Sequence, residues 1–130
     1  MGYTKLNLRE DVEDQAPKFG LEGNLEARMA RVPLELQQSG LSYQRLGPNY
    51  RLPFGHTHKT QEEVYVVIGG RARAKVGDEV VELALLDALR VDNDTPRSFE
   101  AGPEGAELLV VGAPSTGPGD ADVLQSWWGD

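Results

Sequence analysis

The chain contains two histidines, His56 and His58, and they stand two residues apart. On an extended strand, residues i and i+2 project from the same face, so the two imidazoles can converge on one point. Glu63 follows a little further on. If the chain turns at Lys59-Thr60-Gln61, Glu63 starts the next strand and can bring its carboxylate to the same place. Two neutral imidazoles and a carboxylate suit a divalent transition metal such as Fe, Mn, Ni, Co or Zn. Taken alone, a His-x-His pair on an exposed strand is usually polar decoration, so the surroundings decide. The adjacent Glu62 offers a competing register, but strand alternation sends Glu62 and Glu63 to opposite faces. Only one of the two can point inward.

Those residues need strands to carry them, and strands are what the surrounding sequence reads as. Leu41–Leu46 runs into a Gly47-Pro48-Asn49 turn. Glu63–Ile68 is β-branched and aromatic and is closed by Gly69-Gly70. Arg71–Val76 alternates strictly, small apolar residues against Arg71, Arg73 and Lys75. Gly77-Asp78 turns the chain into Val80–Leu83, so a meander of hairpins is expected there. Ala88–Val91 and Glu107–Val111 supply further strands. Short strands punctuated by Gly, Pro, Asn and Asp predict an all-β sandwich or barrel. Before them, Leu25, Ala27 and Met29 suggest a short strand, and Pro33–Gln38 a short helix ended by Gly40.

The stretch HTHKTQEEVYVVIGG, preceded by Gly55, resembles the first signature motif of the cupin superfamily: Gly, His-x-His, three or four residues, Glu, six residues, Gly. The spacing to Gly70 selects Glu63 over Glu62 and leaves Glu62 facing solvent. The resemblance implies a double-stranded β-helix, a jelly-roll barrel. Residues 1–40 would be an N-terminal helix and strand extension of one domain, 41–112 the barrel, and 113–130 a tail packed on it.

The second cupin motif matches loosely over Asp87–Phe99. Its opening Gly is replaced, Asp92 and Asp94 stand at its Pro and Gly positions, and Ala101 stands at its final Asn. Arg97 holds the place of the third metal-binding His. A guanidinium stays protonated and has no free lone pair for a metal. Arg97 therefore either pairs with Glu63 and fills the site, or sits beside a metal and grips an anionic substrate, or turns outward. The first is favoured, because an inward Arg needs a buried carboxylate. Similar small bacterial cupins with an Arg here end in a Trp-rich tail, as this chain does at Trp127-Trp128.

Tyr65 shares a face with Glu63. Tyr65, Phe99 and Arg97 are the expected substrate-binding residues, with simple core packing the alternative for the two aromatics. One tryptophan is expected to cover an apolar patch or seal the barrel mouth. Asp120 and Asp122 are expected to be solvated, as is the acidic cluster Glu10, Asp11, Glu13 and Asp14.

Composition narrows the remaining classes. The 130 residues make one domain, and the absence of Cys excludes disulfides and thiolate metal ligands. A net charge of −8 without a basic block argues against nucleic acid as a partner. No apolar run approaches the roughly 20 residues that span a bilayer, and the N-terminus has no signal-like apolar region. A cytoplasmic location is expected, and the resemblance makes a homodimer the default assembly.

The functional expectation is a small-molecule-binding cupin of unassigned reaction with a degenerate metal site. The alternative is a metal-dependent dioxygenase, decarboxylase or isomerase using His56, His58 and Glu63. A structural partner acting through the Trp-ended tail is a third class. No Ser/His/Asp hydrolase set is convincing, since both histidines belong to the His-x-His pair.

Overall fold

In a computed structural model, which describes residues 2–129, the chain forms one curled antiparallel sheet of eight strands. They are β1 (Leu25–Met29), β2 (Gly40–Leu46), β3 (Phe54–His58), β4 (Glu62–Val76), β5 (Glu79–Leu83), β6 (Ala88–Val91), β7 (Arg97–Ala113) and β8 (Ala121–Gln125). The expected all-β barrel architecture is present.

Two long strands make the curl. The first half of β4 pairs with β6 and with the end of β7, while its second half pairs with β5 and with the start of β7. Both strands therefore run through two limbs that fold toward each other. β1 and β2 extend the first limb; β3 and β8 extend the second.

The bend has a local cause. In β4 the buried residues are Glu63, Tyr65 and Val67 before it, and Ala72 and Ala74 after it. In β7 the inward-facing ones are Arg97, Phe99 and Ala101 before, and Ala106, Leu108 and Val110 after, while Ser98 is buried on the other face under Trp128. The inward parity switches from odd to even in both strands, which requires extra residues at the corner. The register shifts fall there, between Val67 and Gly69 and between Gly70 and Ala72. Gly70 has φ 66° at the corner, and a Cβ on it would come within 2.1 Å of the Gly105 carbonyl oxygen. Gly69-Gly70 thus bends a strand that the sequence suggested it would close.

Three further differences follow from local geometry. Residues 31–35 make turns instead of the expected helix at Pro33–Gln38, because Glu35 takes a left-handed φ of 63° that stops propagation after one turn. Gly40 opens β2 instead of capping a helix. A one-turn 3-10 helix appears instead at Ala16–Phe19, with Pro at its first turn. Asp14, from the acidic cluster, accepts the amides of Ala16 and Ala27 and so ties this turn to β1.

The core fills the space between the limbs. Tyr65, Val67, Phe99, Leu108, Leu46 and Val91 are fully buried there. No helix of the described residues is long and apolar enough to cross a membrane.

Candidate metal centre

β3 delivers both histidines on its inward face. Its other face is covered: a Cβ on Gly55 would lie 2.6 Å from Cγ of Trp127, so the strand presents Gly55 to the indole and His56 and His58 to the barrel. Glu63, the second residue of β4, arrives from the opposite limb. The ligand atoms of His56, His58 and Glu63 lie within 4.8 Å of one another.

Glu63 is the hub. Its Oε1 lies 3.4 Å from His56 Nε2 and 3.3 Å from His58 Nε2, and it accepts hydrogen bonds from Arg97 Nη1 at 3.2 Å and from the Tyr65 hydroxyl. Gln61 Nε2 donates to Oε2 at 3.1 Å. The Gln61 amide crosses the place where a Gly112 side chain would stand, so a bare backbone on β7 admits it. Burial alone would raise the Glu63 pKa. The imidazoles of His56 and His58 and the hydroxyl of Tyr65 outweigh that and hold the carboxyl far below its usual range. The group is an anion at any ordinary pH.

Arg97 opens β7 directly opposite His56 and is 0% exposed. Besides Glu63, its guanidinium donates to the Asp92 carbonyl. Arg97 thus faces inward and meets Glu63. Tyr65 and Phe99 are buried side by side, ring centroids 4.4 Å apart. They form a floor beneath the cluster, and only the Tyr65 hydroxyl reaches into it. Burial, with the Glu63 charge adding to it, raises the Tyr65 pKa well above its normal value, so the phenol stays a donor. Glu62 lies on the outward face and is exposed.

Asp120 departs from expectation. It is buried, not solvated, and its Oδ2 lies 3.0 Å from His58 Nδ1. Its Oδ1 accepts the Thr60 hydroxyl at 2.7 Å and the Thr60 amide at 3.0 Å, and Oδ2 accepts the Gln61 amide at 3.2 Å. Asp122 is exposed. His58 is therefore flanked by two carboxylates. Burial works to lower its pKa, but Glu63 and Asp120 reverse the sign, and the net shift is upward. Nothing in the sequence pointed to Asp120, which sits 62 residues from its partner in a Gly/Pro-rich segment.

Of the two places expected for a tryptophan, the tail takes a covering position on the sheet and not the barrel mouth. Trp127 and Trp128 lie on the outer face of the second limb. Lys75 Nζ sits 4.5 Å from the Trp127 ring centre and donates to the Trp127 carbonyl at 2.9 Å. Arg51 stacks 4.3 Å from the Trp128 ring centre, and Trp128 Nε1 donates to Ser98 Oγ at 3.2 Å.

The donor set fits a divalent ion on two counts. Metal–ligand bonds of about 2.0–2.2 Å at tetrahedral or octahedral angles leave ligand atoms about 3.0–3.5 Å apart, and the two imidazole–carboxylate separations are 3.3 and 3.4 Å. His58 Nε2 is buried and makes no hydrogen bond, and it faces Glu63 Oε1 at 3.3 Å, a separation that an ion held between the two atoms would satisfy.

No family model matches the chain, and no curated protein does. Solved structures do. A cupin protein from Bacteroides fragilis, BF4112, superposes with a TM-score of 0.71 at 22% identity, covering 91% of this chain and 89% of that one. This chain has the cupin fold. The polyketide cyclase RemF from Streptomyces resistomycificus shares that cupin-type barrel, with TM-score 0.71, 21% identity and coverage of 94% and 84%. So does Pac13, described as a nucleoside dehydratase, with TM-score 0.72, 13% identity and coverage of 95% and 93%. Cupin-fold relatives at this distance include enzymes of different chemistry, and likeness at such identity fixes the fold, not the reaction.

Proposed function

We propose that this protein binds a small, oxygen-bearing molecule at a reduced metal centre of three protein ligands, His56, His58 and Glu63. Arg97 stands where the cupin pattern has another His and competes with the ion for Glu63. The observation that carries this reading is the shared oxygen: Glu63 Oε1 lies within 3.4 Å of both imidazole nitrogens and also accepts Arg97. A guanidinium on that oxygen withdraws electron density from a would-be ligand, so the metal is held more weakly than by a full set.

A divalent ion bound there would act as a Lewis acid on a ligand oxygen. The chain's own residues do the rest. His56 is the more exposed imidazole, its side chain 26% accessible against 11% for His58, so the ligand approaches from its side. Tyr65 and Phe99 pack beneath the cluster and shut out water from that side. Arg97 neutralises Glu63 and leaves the buried cluster close to charge balance. The surplus of acidic residues over the whole chain supports a small-molecule partner over nucleic acid.

Titration of metal-free protein with Zn²⁺ or Co²⁺ tests the reading. One ion per chain is expected, with binding lost in His58→Ala. No binding by the unaltered protein, or equal binding by the variant, would overturn it. A catalytic version of the same reading, a metal-dependent enzyme, is favoured by the open His56 side and needs turnover of a defined substrate that disappears with the metal.

A further inference from the structure

We infer that Asp120 is a positioning residue of this centre: it fixes the His58 ring with a proton on Nδ1, so that Nε2 is turned bare toward Glu63 and His56. The inference rests on the metal reading proposed above and adds to it a fourth residue, from the C-terminal segment.

The argument is one of donors and acceptors. An ionised carboxylate only accepts. Asp120 Oδ1 is taken up by the Thr60 amide and hydroxyl, and Oδ2 receives the Gln61 amide at 3.2 Å. The His58 nitrogen lying 3.0 Å from Oδ2 must therefore be an N–H. A neutral imidazole has one such proton, so the other nitrogen carries the lone pair. That other nitrogen is the buried Nε2 with no hydrogen bond, 3.3 Å from Glu63 Oε1. A carboxylate behind a metal-binding imidazole sets its tautomer, fixes its ring plane and raises its basicity.

The placement is rigid. The Lys59 amide donates to the Asp120 carbonyl at 2.8 Å, and His58 pairs with Ala121 in the β3–β8 ladder. Asp120 is thus pinned by a main-chain bond from the residue after His58, where the β3–β8 ladder begins, and its carboxylate is buried. Were it only a staple for the Lys59–Gln61 turn, the three donors from Thr60 and Gln61 would suffice, and the imidazole would have no reason to face it.

The test uses the full chain labelled with ¹⁵N-histidine, read by long-range ¹H–¹⁵N spectra, together with zinc titration. In the zinc-loaded protein His58 should keep its proton on Nδ1. Asp120→Ala should weaken zinc binding by about 10- to 100-fold and give His58 a mixture of nitrogen signatures. Unchanged affinity with unchanged His58 signals in the variant would overturn the inference. If the variant does not fold, the unaltered protein decides: a His58 proton on Nε2 sinks the proposal and one on Nδ1 upholds it. If the unaltered protein takes no zinc, the metal reading fails by itself. The neutral His58 of the metal-free protein then still separates the two, Nδ1–H supporting Asp120 and Nε2–H refuting it.

Discussion

Arg97 lies directly across the β3–β7 pairing from His56, and its guanidinium donates to Glu63 Oε1 at 3.2 Å, the oxygen that also lies 3.4 Å from His56 Nε2. The pair is buried, with Arg97 fully enclosed. Removing one member of such a pair leaves an uncompensated charge, at a cost of about 3–5 kcal/mol. Arg97→Met should therefore lower unfolding free energy by that order in denaturant titrations. The double variant Glu63→Gln/Arg97→Met should cost clearly less than the two single changes summed. Additive losses would mean that the two side chains do not act on each other.

The same geometry makes a prediction of opposite sign for the metal. An imidazole at position 97 would start from beside His56 and add a nitrogen ligand while freeing Glu63 Oε1. Arg97→His should bind zinc at least about tenfold more tightly than the unaltered protein, measured by competition with a chromophoric chelator. Equal or weaker binding would show that position 97 does not compete for the ion.

Much of this centre was legible in the chain because it is local. His56, His58 and Glu63 fall within eight residues, and strand periodicity places them without knowledge of the fold. Arg97 followed from its place in a second, looser motif. What periodicity could not supply was anything set by the sheet's curl. Asp120 reaches His58 only because β8 pairs with β3. The continuity of β4 through Gly69-Gly70 was hidden because the same dipeptide serves a turn or a bend. Glu35, an ordinary residue at positive φ, stopped a helix that its neighbours' pattern favoured.

The charges around His58 fix how metal-free stability varies with pH. Glu63 has its folded pKa lowered from 4.5 and Asp120 from 3.8. Their contribution is present above those unfolded values and is lost as pH falls through the folded ones. His58 has its folded pKa raised from 6.5. Its contribution is complete below that value and is lost as pH rises through the folded one. All three contribute together between about pH 4.5 and 6.5. Denaturation midpoints in chelator-containing buffer should peak in that window. His58→Gln should flatten the alkaline limb and Glu63→Gln the acid one. An alkaline limb that survives His58→Gln would assign it to another group.

The outer face of the same strand carries the last prediction. Gly55 separates the backbone of β3 from Trp127, and a Cβ there would stand 2.6 Å from Cγ and 2.7 Å from Cδ1 of the indole and 2.9 Å from the Arg97 carbonyl oxygen. Neither neighbour is the loose end of a flexible chain: the ring is held by Lys75 and the carbonyl belongs to β7. Gly55→Ala should therefore push the tail off the sheet, at about 1–3 kcal/mol for an overpacked contact, with the tryptophan emission shifting to the red as the indole meets water. Because β8 and Asp120 belong to the same C-terminal segment as Trp127, the variant should also bind zinc more weakly than the unaltered protein, although Gly55 touches no ligand. Gly55→Ala with unshifted emission and unchanged zinc affinity would show that the tail and the centre are not mechanically joined.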